Sequence, residues 1–428
     1  MAQGYDYAAA AAYSDLIGGE ALVVSVDGTI AYEHYSNGFT ATQGHVLNSA
    51  TKSITGLLCA FAVQDNLLAF DERVSDTLTE WQPYPKRASI TYRQLLGLVS
   101  GIDGGPTGPG NTPTYAASIA QPMIADPGTT FSYGPVPFQI FGEALERKLK
   151  PSNRTVEDYL RAKILTPLGI QPTQWIGQKA GEPNLPNGAS ILATELVRIG
   201  EFVRNGGVWQ NQRLLAQNIL DELFKPVIST KPGYGIAWYL TTPNEIAPAD
   251  EMHAFGADGQ YLFVSRSEHL VMVRYGLNPA FDTDKFYNAL MPAATALIGP
   301  GCMGTHGVPD LSAITRPVLG SNFTWRIGNL PLSTAGVTYV GFSKDSFSSL
   351  PLPIDLTALG MTGCHLRVSL DVILPWAGST TAQQTLPLPA QNALFGLKLH
   401  LQSVVIDLPA NAFGLTMSNA GTVRLGAR

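Results

Sequence analysis

Residues 21–35 read ALVVSVDGTIAYEHY and contain two strand-like runs joined at Asp27-Gly28. Asp-Gly between two such runs is the strongest short-range signal for a β-hairpin, because both central turn residues must tolerate a positive φ. A second hairpin fits the runs Gln260–Val264 and Leu270–Arg274, joined by a turn at residues 265–268. The sequence therefore predicts strands near both ends of its first 300 residues.

Between the two hairpins the sequence has a helical period. Apolar residues follow the i, i+3, i+4, i+7 spacing of one helix face at Ile54, Leu57, Leu58 and Phe61. The segments 138–149 and 156–165 are also amphipathic. Strands at both ends with helices between them predict an α+β body, in which one sheet is assembled from distant segments.

The composition changes near residue 300, in the Gly/Pro-rich segment 298–304. Residues 301–428 contain no Glu, seven Lys or Arg and five Asp, a net charge of +2, whereas residues 1–300 carry −8. The second part has the pattern of short strands between turns, at 336–342, 364–372 and 399–406. We therefore predict two domains, an α+β domain at 1–300 and an all-β, sandwich-like domain at 301–428.

The overall composition excludes several classes of protein. The 428 residues are 45% hydrophobic and 14% charged, which is typical of a globular chain. The net charge is −6 and Lys and Arg form no cluster, so no nucleic-acid partner is expected. No apolar run approaches the about 20 residues of a membrane span. The start, MAQGYDYAAA, lacks the pattern of a signal peptide, as a mature form expressed without its leader also would.

Three cysteines are too few for a disulfide framework or a multi-cysteine zinc site. Cys59 lies in an apolar run and is interpreted as a small buried hydrophobe. Cys302 and Cys364 both fall in the predicted β domain, and their spacing alone leaves open whether they are bridged.

The sequence has seven histidines, but it contains neither the G-x-S-x-G motif of a serine nucleophile that is paired with a histidine nor the H-E-x-x-H motif of a zinc hydrolase. It does contain Ser49-Ala-Thr-Lys52 at the start of the first amphipathic run, with Asn48 or Ser49 placed to cap the helix. A spacing of three puts the serine hydroxyl and the lysine amine on one face of the first turn, where the amine can take the hydroxyl proton. Taken alone, the element is also consistent with a capped helix and a solvated lysine.

Two further elements follow in chain order. Tyr133, in FSYGP, lies on a turn before an amphipathic run, so its phenol could shuttle a proton between Ser49 and a leaving group. The segment AFGADGQ, residues 254–260, leads into the second hairpin, where an edge strand can supply a second oxyanion donor. A packing tyrosine and an ordinary glycine-containing turn are the alternative interpretations.

In combination, these elements resemble the serine β-lactamase and penicillin-binding-protein superfamily. The sequence is most similar to its class C-like serine hydrolases, which include family VIII carboxylesterases and 6-aminohexanoate-oligomer hydrolases. The resemblance covers about residues 15–295 and includes SATKSITGLLCAFAVQDNLL, PGTTFSYGPVPFQIFGEALERKL and GQYLFVSRSEHLVMVRYG. It implies a β-lactamase-like antiparallel sheet flanked by helices plus an all-helical region. It also implies that Ser49 is the nucleophile, Lys52 its activating partner and Tyr133 the proton shuttle.

Two positions depart from the superfamily pattern. Pro135 stands where the Tyr-x-Asn element has its Asn, and Ala254 stands at the Lys or His of the third motif, with His253 one residue early. Both changes weaken a site for a β-lactam carboxylate, so we expect a carboxylesterase that forms an acyl-enzyme at Ser49 and needs no metal or cofactor. The alternatives are an amidase on 6-aminohexanoate oligomers or D-amino-acid peptides, a weakly active β-lactamase or penicillin-binding protein, and a binding protein without turnover.

The oxyanion hole is expected to use the backbone N–H groups of Ser49 and Ala257. Candidate substrate-binding residues are His253, Phe255, Gly256 and Trp238, and Tyr35 and Tyr261 are further candidates for pocket walls. For the aromatic residues, burial in the core is an equally good interpretation.

The last 128 residues are similar, less specifically, to a module appended to extracellular bacterial proteins, in the stretches LPLPIDLTALGMTGCHLRVS and LQSVVIDLPANAFGLTMSNA. This resemblance implies a Cys302–Cys364 bridge and a secreted or periplasmic location. Contact with a polymeric substrate or a cell surface through residues 301–428 is a further expectation. The sequence does not indicate an oligomeric state.

Overall fold

The computed structural model describes residues 5–179, 181–242 and 245–427, and the chain forms two compact units. The N-terminal unit comprises residues 10–242 and 250–282. The C-terminal unit comprises, of the described residues, 5–9, 245–249 and 283–427. After residue 282 the chain stays within the C-terminal unit.

Three of the described helices have 12 to 14 residues, and the others have ten or fewer. Their bounds are α1 Tyr7–Leu16, α2 Thr51–Gln64, α3 Pro85–Ala88, α4 Tyr92–Leu96, α5 Tyr115–Ser118, α6 Val136–Leu149, α7 Val156–Leu160, α8 Ala193–Arg204, α9 Gln217–Asp221 and α10 Thr283–Leu290. The predicted helix at 156–165 continues beyond α7 as a π-helical turn. No helix in the described part of the chain is both long and apolar enough to cross a membrane.

A six-stranded antiparallel sheet forms the frame of the N-terminal unit. The strands described before residue 283 are β1 Gly19–Val26, β2 Thr29–Tyr35, β3 His45–Val46, β4 Gln174–Trp175, β5 Gly177–Lys179, β6 Glu182–Pro183, β7 Ala189–Ile191, β8 Val208–Trp209, β9 Gln212–Arg213, β10 Tyr239–Leu240, β11 Met252–Gly256, β12 Gln260–Ser265 and β13 Leu270–Gly276. The sheet has the order β10-β11-β12-β13-β1-β2, and the remaining strands form small pairs or triplets.

Both predicted hairpins are confirmed. In the first, β1 and β2 pair around Asp27 and Gly28, whose φ values are +52° and +80°. In the second, β12 pairs with β13, and β13 then pairs with β1 at the centre of the sheet. The two ends of the N-terminal unit thus share one sheet, as the pattern predicted.

Helix α2 carries Lys52 through the core of the N-terminal unit. Every residue from Thr51 to Ala62 is buried, so this helix is enclosed on all sides. A close approach at Gly56 contributes, because a Cβ there would lie 3.0 Å from the Cβ of Ala237. A polar side chain on this helix is therefore removed from bulk water.

The C-terminal unit is built from β14 Ala294–Gly299, β15 Asp310–Ala313, β16 Asn322–Gly328, β17 Thr334–Gly341, β18 Ser346–Phe347, β19 Leu350–Pro351, β20 Ile354–Asp355, β21 His365–Leu366, β22 Val372–Gly378, β23 Ala382–Pro387, β24 Lys398–Ile406 and β25 Leu415–Arg424. Five strands form a sheet in the order β14-β25-β24-β17-β22, and three form a sheet in the order β15-β16-β23. Both sheets contribute to one apolar core, which includes Trp325 of β16 and Val405 of β24. This arrangement is the sandwich-like architecture that the sequence predicted.

One predicted strand of the C-terminal part differs from the structure. β14 pairs with β25 and so belongs to the sheet of the C-terminal unit. The predicted strand at 364–372 is interrupted, because Arg367 N–H donates to the Gln402 side chain and Ser369 N–H donates to Ser343 O outside a strand ladder. Cys302 and Cys364 are joined by a disulfide bond, and Cys59 is a buried free cysteine.

Candidate active site

Ser49 lies in a 3-10 turn, Asn48–Ala50, that leads directly into α2. Asn48 has a φ of +49°, a conformation that Asn tolerates better than most residues. The expectation that Asn48 or Ser49 caps the helix is wrong, because α2 begins at Thr51 and its N-cap position, Ala50, makes no side-chain cap. The hydroxyl of Ser49 is consequently directed at other groups.

The amine of Lys52 is in contact with that hydroxyl. Lys52 Nζ lies 2.9 Å from Ser49 Oγ, and it also donates to Pro186 O at 3.2 Å and to Asn187 Oδ1 at 3.3 Å. Lys52 is only 3% exposed, and this burial lowers the pKa of its amine from 10.5 to about 7. A large fraction of Lys52 is therefore neutral at neutral pH and able to accept a proton.

Tyr133 lies beside this pair, and Lys52 Nζ is 5.1 Å from the centre of its ring. Its chain segment is held against residue 104, since a Cβ at Gly134 would lie 1.9 Å from Gly104 O. Burial raises the pKa of Tyr133, although hydrogen-bonding interactions with Ser49 and Tyr239 act in the opposite direction. The phenol therefore keeps its proton at neutral pH and is available as a donor.

Asn187 completes the cluster and is not among the site residues predicted from the sequence. Its Oδ1 lies 3.3 Å from both Ser49 Oγ and Lys52 Nζ, and its Nδ2 donates to Thr112 Oγ1 at 3.0 Å. The residue comes from the segment between β6 and β7, far from Ser49 in the chain. Asn187 lies in the loop-like stretch NLPNG, residues 184–188, and no motif in the sequence distinguishes it from Asn184.

An aromatic cluster continues from Tyr133 along the edge of the sheet. Tyr239 of β10 interacts with Tyr133 and stacks on His253 of β11 with ring centres 5.2 Å apart. His253 Nδ1 is 2.8 Å from Oε1 of the buried Glu251. Phe255 lies 4.8 Å from Tyr261 and 6.0 Å from Tyr239, measured between ring centres. The structure thus groups three of the predicted binding or wall residues, His253, Phe255 and Tyr261, around Tyr239.

The end of β11 lies against the Ser49 turn. A Cβ at Gly256 would be 2.0 Å from Leu47 O, so only glycine permits this approach. Asn48 Nδ2 and Gln260 Nε2 both donate to Ala257 O, each at 3.2 Å. These contacts fix the turn that contains Ala257 next to Ser49.

Two predicted pocket residues lie elsewhere. Trp238 is 0% exposed and packs edge-on against Phe224 in the core, so it cannot line an open cleft. Tyr35 is on β2, at the opposite edge of the six-stranded sheet from β11, and its hydroxyl donates to Glu33. In both cases the aromatic residue serves packing or a local contact.

The sequence of the N-terminal unit decides the family. A family model for beta-lactamases matches residues 8–276, more than half of the chain. The chain belongs to the beta-lactamase family. No curated protein matches the sequence.

Solved structures show the same fold at low sequence identity. A family VIII carboxylesterase is 16% identical with a TM-score of 0.54, covering 66% of this chain and 95% of that one. A penicillin-binding-protein homologue from Caulobacter crescentus is 17% identical with a TM-score of 0.52, covering 66% and 95%. A Bacillus anthracis protein named as a 6-aminohexanoate-dimer hydrolase is 16% identical with a TM-score of 0.54, covering 65% and 78%. These three structures share the fold of the N-terminal unit, and the family model gives the family of the chain.

Proposed function

We propose that the protein is a serine carboxylesterase that forms an acyl-enzyme at Ser49. The observation that carries the proposal is the 2.9 Å contact between Ser49 Oγ and the buried amine of Lys52. A nucleophile in hydrogen-bond contact with a base whose pKa is near neutrality is the arrangement required for covalent catalysis.

Acylation begins when Ser49 Oγ attacks the ester carbonyl carbon and its proton passes to Lys52 Nζ. The tetrahedral intermediate then collapses, and the bond between the carbonyl carbon and the alkoxide oxygen breaks. The leaving alkoxide takes the proton of the Tyr133 phenol, which Lys52 replaces. The products of this half-reaction are the free alcohol and an ester of Ser49.

Deacylation reverses the roles. Water attacks the acyl carbon and gives its proton to the Tyr133 oxygen as the phenol passes its own proton to Lys52 Nζ. The bond between the acyl carbon and Ser49 Oγ then breaks, and Oγ takes the proton from Lys52. The carboxylic acid is released and the starting protonation state returns. The backbone N–H groups of Ser49 and Ala257 are proposed to stabilise the oxyanion in both halves, which is supported by the fixed position of the Ala257 turn beside Ser49.

An ester is favoured over an amide or a β-lactam because of two side chains that the site lacks. Pro135 is buried at the start of α6 and offers no amide, and Ala254 is buried in the core and offers no cation. An alkoxide also leaves with less assistance from a proton donor than an amine requires. The 6-aminohexanoate-type amides remain the second candidate, because a structural relative bears that name.

The proposal is tested with three matched substrates: a short-chain p-nitrophenyl ester, the corresponding p-nitroanilide and a chromogenic cephalosporin. We expect the ester to be cleaved much faster than the other two, and Ser49→Ala to abolish the cleavage. Comparable rates for ester and anilide would favour the amidase, and ester cleavage that survives Ser49→Ala would contradict the mechanism.

We further propose a secreted or periplasmic location, which the Cys302–Cys364 disulfide supports because such bonds persist in oxidising compartments. Cell fractionation of the source organism tests it. Recovery of the protein in the cytoplasm with both thiols reduced would contradict the proposal.

Contact of residues 301–428 with an insoluble polymeric ester is also proposed. A groove of about 950 Å³ at the ends of β17, β22 and β24 is bordered by Leu332 and Leu408, which are 70% and 75% exposed. Leu332→Ser with Leu408→Ser should reduce retention on a polyester film without changing hydrolysis of a soluble ester. Leu16→Ser, at an exposed site of the N-terminal unit, is the control. Unchanged retention in the double variant would contradict the proposal.

A further inference from the structure

Asn187 is held so that its side-chain oxygen faces both reacting groups of the proposed esterase. The residue is 5% exposed, its Nδ2 is bound to Thr112 Oγ1, and its backbone N–H donates to Asn184 Oδ1 at 3.1 Å. The backbone N–H and the side-chain Nδ2 of Asn187 are therefore both held by hydrogen bonds. These hydrogen bonds direct Oδ1 toward Lys52 Nζ and Ser49 Oγ.

The number of donors on the amine shows what this contact does. Lys52 Nζ has three oxygen neighbours, Ser49 Oγ, Pro186 O and Asn187 Oδ1. A protonated amine has three N–H donors and can satisfy all three. A neutral amine has two N–H donors and one lone pair. Because the carbonyl oxygens of Pro186 and Asn187 can only accept, they take both N–H groups, and the lone pair faces the Ser49 hydroxyl.

We propose that Asn187 is the positioning residue that directs the Lys52 lone pair at Ser49, because its anchored Oδ1 takes one of the two N–H groups of the neutral amine. The inference rests on the proposed function, since it concerns activation of the same serine.

The proposal also limits what Asn187 can do for a substrate. Its Oδ1 accepts from Lys52 Nζ and lies 3.3 Å from Ser49 Oγ, and its Nδ2 donates to Thr112 Oγ1. The side chain is thus committed to the catalytic groups rather than to recognition of an acyl-side amide. This commitment is consistent with a preference for simple esters.

Other titratable groups lie on the elements that form the site and must be separated from Lys52 in any pH experiment. Tyr133 contacts Lys52, and the other groups lie on β10, on or directly before β11, in the turn after β11, and on β6: Tyr239, His253, Glu251, Asp258 and Glu182. His253 contacts both Tyr239 and Glu251, so the variant His253→Gln is included to separate this group from Lys52.

The test measures how fast a fluorophosphonate modifies Ser49 across the neutral pH range, using mass spectrometry on the full-length protein. This rate reports the activation of Ser49 and does not depend on which ester, if any, is turned over. A failure of the esterase proposal would thus leave this measurement interpretable. The proteins compared are the wild type, Asn187→Ala, Asn187→Asp and His253→Gln, each checked for its unfolding temperature.

In Asn187→Ala we expect the rate to fall at least about tenfold at unchanged fold, because the amine is no longer oriented. In Asn187→Asp the carboxylate favours the protonated amine of Lys52. The pH at which the modification rate rises should therefore move about one unit or more above its wild-type value. In His253→Gln the pH at which the modification rate rises should be the same as in the wild type. A rate within about twofold of the wild type in folded Asn187→Ala, or an unshifted rise in Asn187→Asp, would overturn the proposal. If Asn187→Ala does not fold, Thr112→Val releases the same amide, and a wild-type rate there would overturn the proposal equally.

Discussion

A lysine amine is ordinarily protonated at neutral pH, and burial at the start of α2 changes this for Lys52. The pKa lowered to about 7 means that the neutral base is present above that pH and is lost as the pH falls through it. We expect kcat/KM for ester hydrolysis to rise with pH through a limb near 7. Lys52→Arg, which stays charged, should lower the rate about 10²-fold or more at all these pH values. A matched control is Lys163→Arg, in a salt bridge away from the site. A pH-independent rate in the wild type would contradict this role of Lys52.

Tyr133 is the second residue whose role can be separated by chemistry. If its phenol protonates the leaving group, the need for it depends on how basic that group is. Tyr133→Phe should therefore reduce hydrolysis of an ethyl or butyl ester about 10²-fold or more, and reduce hydrolysis of a p-nitrophenyl ester much less. Tyr84→Phe, at an exposed tyrosine, serves as the control. Equal losses on both kinds of ester would show that Tyr133 does not act on the leaving group.

At the scale of elements, the turn before α2 determines where Ser49 lies. Asn48 adopts a positive φ, which costs an ordinary L-residue roughly 1–2 kcal/mol and costs glycine much less. Both Asn48→Ala and Asn48→Gly lose the hydrogen bond to Ala257 O. We expect Asn48→Ala to be less stable than Asn48→Gly by about 1 kcal/mol in denaturant unfolding. Equal stability of the two variants would mean that the turn relaxes to another conformation.

Local chemistry explains which elements the sequence could predict. The hairpin at Asp27-Gly28 depends only on neighbouring residues, and the contact between Ser49 and Lys52 depends on one helical turn. Both were therefore accessible from spacing. The strand at 364–372 was overestimated because its backbone groups bond to Gln402 and Ser343, partners that no local pattern reveals.

The errors in the predicted site residues have one cause, which is that contacts between distant segments of the chain decide where a side chain lies. Asn187 reaches Lys52 through a fold that brings together segments 135 residues apart. The aromatic residues were ambiguous because a core residue such as Trp238 and a residue near the cleft such as Phe255 have the same composition signal. Only the sheet order showed that Tyr35 lies at the opposite edge from β11.

At the scale of the whole molecule, the disulfide is confined to the C-terminal unit. It joins residues separated by 62 positions, and closing a loop of this length stabilises a domain by about 4 kcal/mol in the chain-entropy description. Cys302→Ser with Cys364→Ser should therefore lower the unfolding temperature of the C-terminal unit, as followed by calorimetry. Cys59→Ser, which removes the remaining thiol, is the comparison for the effect of a single buried substitution. An unchanged calorimetric profile in the double variant would show that the sheet interactions alone suffice.

Hydrolysis through a covalent ester of Ser49 leaves a product that can be trapped. The experiment is to acid-quench the protein during turnover of a slowly deacylating p-nitrophenyl ester and to map the acyl mass onto peptides. We expect the wild type to carry the acyl group on the peptide that contains Ser49, and the Ser49→Ala variant to carry none and to release no p-nitrophenol above background. Turnover with the acyl group on another residue, or undiminished turnover in Ser49→Ala, would contradict the acyl-enzyme mechanism at Ser49.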